Sequence, residues 1–133
     1  FNVYGKGQTG TYAGVITQFM KRLKDNLPPI IHGEGNQIRD FISVEDIVKA
    51  NLLAMESNTS QDFLNIGTGK LISILDLAKM MIKISSKKIS PIFDDKISGD
   101  VEKSQADVTQ CKEKIGFSYS MNIYDGLKKL MQK

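Results

Sequence analysis

The chain has 133 residues, 41% hydrophobic and 25% charged, with 18 Lys and Arg against 15 Asp and Glu and a net charge of +3. That length holds one domain, or parts of two, and is enough to bury a core. No apolar run approaches the roughly 20 residues of a membrane span, and so mild a charge balance gives no footing for nucleic acid.

The first residues, FNVYGKGQTGTY, are a short apolar run followed by Gly5, Gly7 and Gly10 in the G-x-G-x-x-G spacing. A strand, this motif and a helix in that order would set a helix amino terminus against a pyrophosphate, as in a standalone dinucleotide-binding module. Two features oppose that reading. Four residues precede Gly5, whereas a strand has about five or six. The acid expected roughly 20 residues after the motif is Glu34, which falls inside a glycine turn. The chain starts with neither Met nor a basic-then-apolar leader, so it reads as a piece of a longer one, cut just before a strand.

From Tyr12 to Asp25, Val15, Ile16, Phe19, Met20 and Leu23 recur on one helical face, with Lys21, Arg22 and Lys24 opposite. NLPP stops that helix, and a strand, Ile30 to His32, leads to the turn GEGN. QIRDFI is strand-like. Ser43 with Asp46 has capping-box spacing before a helix from Val44 to about Ser57, whose apolar face is Val44, Ile47, Val48, Leu52 and Met55. After the loop NTSQ, DFLNIG reads as a buried strand, and Ser73 with Asp76 repeats the cap before a helix carrying Ile74, Leu75, Ala78, Met81 and Ile82. KKISPIFDD is a strand that Pro91 confines to a sheet edge. Asp94 to Ser104 is the expected mobile loop. Asp107 caps a short helix through Lys114 stopped by Gly116, and Asn122 caps a last helix with Ile123, Leu127, Leu130 and Met131 inward. Strands alternating with helices predict an α/β fold, a small mixed sheet with flanking helices.

The single Cys111 cannot form an internal disulfide, and the lone His32 argues against a zinc site; both suit a reducing, cytoplasmic setting. Tyr124 and Lys128 have Tyr-x-x-x-Lys spacing, but at i, i+4 on a terminal helix they read as a surface pair.

Four stretches together, FNVYGKGQ at 1–8, IIHGEGNQIRDFISVEDIVKA at 30–50, FLNIGTGKLISILDLAKM at 63–80 and SGDVEKSQADVTQCKEKIGF at 98–117, carry a resemblance over nearly the whole chain. In that order and spacing they resemble the carboxy-terminal portion of an extended short-chain dehydrogenase/reductase of the NAD-dependent epimerase/dehydratase family, UDP-glucose 4-epimerase-like. The resemblance implies that residues 1–133 are a single piece, the sugar-nucleotide-binding domain, with the last Rossmann strand at its start and the cofactor domain missing. It implies a parent enzyme that uses NAD and a Tyr-x-x-x-Lys pair upstream, so that this chain alone has no catalytic residue and holds no NAD.

By the same resemblance, Asn2 donates to a diphosphate oxygen or simply ends a strand. Gly14 and Val15 offer first-turn N–H groups to the diphosphate and base, with Val15 also suited to the core. Ile30 and His32 flank a main-chain site for uracil, where His32 packs or stacks and does not act as an acid or base. Arg39 binds phosphate through its planar fork, or else pairs with Asp40 or another carboxylate. Asp100 accepts from ribose hydroxyls, or is a loop-turn aspartate. Two positions depart from the family pattern. Lys6 stands where a proline is usual, and Ile97 where a second phosphate-binding arginine is usual, so that either Lys96 next door substitutes or nucleotide affinity is reduced.

The expectation is therefore a UDP-sugar-binding portion of a 4-epimerase-like isomerase, with possible self-association or a homodimer through exposed apolar surface. The alternatives are a dTDP-glucose 4,6-dehydratase-like fragment and a non-catalytic self-associating module.

Overall fold

The computed structural model describes residues 1–8, 14–59 and 62–132, arranged as seven short strands and five helices. Helix α1 (Val15–Lys24) buries Ile16, Phe19 and Leu23, the face expected from their spacing. It begins at Val15, and the expected first turn from Tyr12 lies partly outside the described residues. Asn26 leaves it at φ 58°, and Pro28 and Pro29 carry the chain into β2 (Ile30–His32).

β2 lies parallel to β6 (Ile92–Asp94), with Ile31 opposite Phe93. Pro91 directly precedes β6, where its missing N–H interrupts no ladder. QIRDFI divides at Asp40 into β3 (Ile38–Arg39) and β4 (Phe41–Ser43). β4 pairs in parallel with β1 (Asn2–Tyr4), and β3 lies between β5 (Ile72–Ser73), antiparallel, and β7 (Lys103–Ser104), parallel.

The break at Asp40 has a local cause. Its carboxylate is fully buried and accepts from Thr68 N–H and Oγ1 (3.0 and 2.5 Å), Gly69 N–H (2.8 Å) and Ala106 N–H (3.3 Å). Its own N–H donates to the Ser104 carbonyl at 2.9 Å, and its carbonyl accepts from Asn2 N–H at 3.2 Å. One residue thus ties β1, the GTG turn and the segment after β7 together.

Serine caps start α2 (Val44–Glu56) and α3 (Ile74–Ser85): Ser43 and Ser73 hydroxyls accept from the N–H groups of Asp46 and Asp76. Asn122 does the same for α5 (Ile123–Met131). Before α4 (Thr109–Ile115) the Asp107 carboxylate accepts from Thr109 N–H, and Gly116 ends that helix at φ 64°. One core gathers Tyr4, α1, Ile31, Phe41, the Leu77–Ala78–Met81 face of α3 and Leu127; a second gathers Ile42, Ala50, Cys111, Ile115 and Phe117.

Four expectations change. The α/β fold with flanking helices is as expected, and among the described residues its small mixed sheet is divided into three, β1–β4, β2–β6 and β5–β3–β7, with no ladder joining them. Among the described residues of DFLNIG there is no strand: none of the described strands pairs with it, Phe63 is 96% exposed, and the Ile66 carbonyl accepts from the backbone nitrogen of Phe1 at 2.9 Å. The end of the expected mobile loop, Lys103–Ser104, is held as β7 by β3. Most consequentially, α2 turns Asp46 and Ala50 inward, leaving Val44, Val48, Leu52 and Met55 exposed. Those four follow the helical period, but the buried position beside them is claimed by a hydrogen-bonded carboxylate.

Candidate functional site

Three local features converge on one cleft. The N-cap of α1 is Gly14 in extended conformation, which brings no side chain of its own to accept from the first N–H groups, and the first turn holds no acid. Such an end carries partial positive charge and outward-facing donors. Opposite it, β2 ends at His32 and β3 presents Arg39. Above them, the segment from Ile97 to Asp100 turns tightly, with Gly99 at φ 79° and Asp100 N–H donating to the Ile97 carbonyl at 3.3 Å.

The cleft measures about 510 Å³, and Asn2, Gly14, Val15, Ile30, His32, Arg39 and Asp100 all line it. The seven candidates, spread over almost 100 positions of sequence, thus line one cleft. Arg39, only 13% exposed at its side chain, donates from Nη2 to Asp100 Oδ1 at 2.6 Å and from Nη1 to the Ile38 carbonyl at 3.0 Å. The carboxylate paired with Arg39 is Asp100; Asp40, the neighbour considered from the sequence, is occupied by backbone N–H groups. Asn2 gives one amide N–H to the Asp40 carbonyl at 2.8 Å, which fixes its side chain at the edge of β1. Val15 is half-buried against the first core and lines the cleft as well. His32 Nδ1 lies 3.2 Å from the Asp95 carbonyl, so its ring is tied to a loop backbone and not to a carboxylate.

Ile97 lines the cleft, whereas Lys96 is not among the lining residues and pairs with Glu102 at 3.5 Å near the surface. The cation expected to stand in for the missing arginine is therefore directed elsewhere. Tyr124 and Lys128 are exposed on α5 and line neither this cleft nor its neighbour.

The glycines of the opening motif have other duties. A side chain at Gly5 would overlap Val44, and Gly7 takes φ 94° in the turn; both line a second groove, of about 840 Å³, between α1 and α5. Gly10 lies outside the described residues. The first described helix after them, α1, opens at Val15, eight residues after Gly7.

Several lining residues escaped sequence reasoning, Gln37 and Tyr4 among them. Gln37 is 8% exposed and donates from Nε2 to the His32 carbonyl (2.8 Å) and to Asp100 Oδ2 (3.0 Å). The available signal was its place two residues before Arg39, since i and i+2 share a face in extended chain. Tyr4, 4% exposed, borders both the cleft and the groove. Burial first, then the nearby charges of Asp46 and Glu45, pushes its phenol up to about 12.

Residues 1–67 match the family model described as the NAD dependent epimerase/dehydratase family. A putative UDP-glucose 4-epimerase of Methanocaldococcus jannaschii is 35% identical over 98% of this chain and 42% of its own length. The crystal structure of a UDP-glucose 4-epimerase with UDP-glucose from Thermotoga maritima superposes with TM-score 0.94 at 36% identity, over 98% of this chain and 42% of the other. A UDP-glucuronic acid 4-epimerase from Bacillus cereus, in complex with UDP-glucuronic acid and NAD, superposes with TM-score 0.90 at 28% identity over 99% of this chain and 42% of the other. The chain thus spans about two fifths of the length of these relatives.

Proposed function

This chain belongs to the NAD dependent epimerase/dehydratase family, and we propose that within it residues 1–133 form one sugar-nucleotide-binding domain that grips the nucleotide half of a UDP-sugar. The observation that carries this reading is the convergence of the glycine-capped α1 amino terminus, the Arg39 guanidinium and the Asp100 carboxylate on one cleft. A diphosphate needs donors and positive charge, and α1 with Arg39 offers both. A ribose needs an acceptor, and Asp100 offers one. A pyrimidine needs main-chain partners, and in this reading Ile30 and His32, the first and last residues of β2, flank that position. Asn2 holds its amide at the cleft edge with one N–H left for a phosphate oxygen.

In the whole enzyme, proposed here as a UDP-glucose 4-epimerase-like isomerase, hydride transfer is the business of NAD and of residues beyond this chain. What these residues contribute is binding energy remote from the reacting carbon, which anchors the nucleotide while the sugar turns. We propose no catalytic residue and no NAD site in this chain, and a cytoplasmic setting. With Ile97 in place of a donor and Lys96 turned to Glu102, the phosphate grip rests on Arg39 and α1, so UDP binding is weaker than two arginines would give.

The test is calorimetric titration of the protein with UDP. Saturable binding is expected, and Arg39→Ala should weaken it about 10- to 100-fold, the range for one hydrogen bond to a charged group. NADH binding that UDP does not displace, or UDP affinity indifferent to Arg39→Ala, counts against the reading. The exposed stripe of α2 favours a second role, self-association, which is compatible with the first.

A further inference from the structure

The second groove, of about 840 Å³, lies where α1 and α5 both pack on α3, near the end of that helix. Its apolar lining is Met20 and Leu23 of α1, Ile84 of α3, Leu130 and Met131 of α5, and Met121 just ahead of α5. A space of that size is within the range of small-molecule sites, and unbranched methionine side chains adapt their shape to a hydrocarbon laid against them.

The charges around this lining are of one sign. Among the described residues of the groove they are Lys6, Lys21, Lys24, Lys87 and Lys129, against Glu45 alone. Over the whole chain 18 basic residues face 15 acidic ones, so the excess is local to the groove. Glu45 is already engaged, accepting from Lys129 Nζ at 2.6 and 2.8 Å. Lys87 donates to the Asn26 side-chain oxygen, a neutral acceptor. Among the described residues no acid pairs with Lys6, Lys21 or Lys24. Lys21 and Lys24 stand three positions apart in the last turn of α1, so they rise on one side of the helix. Lysine stems extend an apolar surface while their ammonium groups stay at its wet edge. The complement of such a surface is a molecule with a hydrocarbon body and an anionic end; a cationic end would be repelled.

We propose that this groove is a second ligand site, for a single-chain carboxylate amphiphile whose hydrocarbon lies on the methionines and Leu130 and whose carboxylate meets Lys21 and Lys24. None of the groove's lysines lines the nucleotide cleft, so the site stands apart from it.

The experiment titrates dodecanoate, octanoate, dodecyltrimethylammonium and dodecyl maltoside, each well below micelle formation, into the protein and into the paired variant Lys21→Gln with Lys24→Gln. Dodecanoate should bind saturably, and at least about tenfold more tightly than either the cationic or the neutral twelve-carbon compound, as for a hydrogen bond to a charged group. Octanoate has four methylenes fewer, each worth about fourfold when fully buried, and should bind at least about tenfold more weakly than dodecanoate. The paired variant should lose about tenfold in dodecanoate affinity with UDP affinity unchanged. Should it fail to fold, by circular dichroism, Lys6→Gln with Lys87→Gln decides in its place. Equal affinity for the three twelve-carbon compounds overturns the ligand class, as does indifference to chain length. Dodecanoate binding unaltered by the lysine changes, or a parallel loss of UDP affinity, overturns the assignment to this groove. Absence of dodecanoate binding overturns it too, and self-association that the lysine variants abolish in sedimentation velocity would then make a second copy the occupant.

Discussion

Tyr4 is packed so closely on Gly126 that a methyl group there would overlap its hydroxyl, which explains a glycine in the interior of α5 despite its cost of roughly 1 kcal/mol against alanine. The hydroxyl itself is buried and unpartnered. Its ionisation is displaced from 10.0 to about 12 by burial and by the charges of Asp46 and Glu45. The folded state thus holds the phenol proton more tightly than the unfolded one. That stability is complete below pH 10 and is lost as pH rises from 10 towards 12, by up to about 3 kcal/mol. Tyr4→Phe should remove this alkaline loss and be neutral or stabilising by about 1 kcal/mol at pH 7. Urea unfolding of both proteins at pH 7, 10 and 11 checks it, since lysine deprotonation is common to the two and cancels. A parallel pH dependence in the variant would contradict the assignment.

At the scale of elements, α2 is anchored through Asp46. Burial pushes this carboxyl up, but the hydrogen bonds from Ser120 Oγ and N–H, Met121 N–H and Ser43 together outweigh that and hold it below the usual range. One side chain near the α2 amino terminus therefore pins the helix to the turn ahead of α5. Because its folded pKa is depressed, the contribution is present above the ordinary carboxyl range near 4 and is lost as pH falls through the folded value. Asp46→Asn should cost about 1–3 kcal/mol at pH 7, and the gap to the unaltered protein should narrow as pH falls below the ordinary carboxyl range, again by urea unfolding. The Ser43–Asp46 cap was legible in the sequence because its signal spans three residues. The same carboxylate's bonds to Ser120, 74 positions away, were not, and neither was the Asp40 hub, whose donors lie 28 to 66 positions on. Periodicity found the inward faces of α1, α3 and α5, yet misplaced that of α2, where a buried polar cluster overrode the apolar repeat. The cleft shows the same division. Five of its seven candidates lie in the quoted blocks of resemblance and Gly14 and Val15 between them, while Gln37, inside a block, needed coordinates, because only geometry reveals an acceptor without a partner.

Over the whole molecule, the unresolved demand is hydrophobic. Val48, Leu52 and Met55 are 53%, 54% and 81% exposed along one side of α2, and Phe63 is 96% exposed. A contiguous apolar face of this kind is rarely left to water, because each side chain buried removes apolar area worth about 25 cal/mol per Å². For the 133-residue chain studied by itself, the partner always present is a second copy. Concentration-dependent self-association is therefore expected in sedimentation velocity at tens of micromolar. The paired change Leu52→Lys with Met55→Glu should suppress it. Stability should move by no more than about 0.5 kcal/mol, as for exposed positions generally. Neither residue lines the cleft, so UDP affinity should be the same in the associating and non-associating forms. Monomeric behaviour of the unaltered chain at every concentration would show that the stripe is too small to associate on its own. Loss of UDP binding in the charged variant would mean instead that pairing across α2 shapes the cleft, through β4 and its partner β1, which carries Asn2.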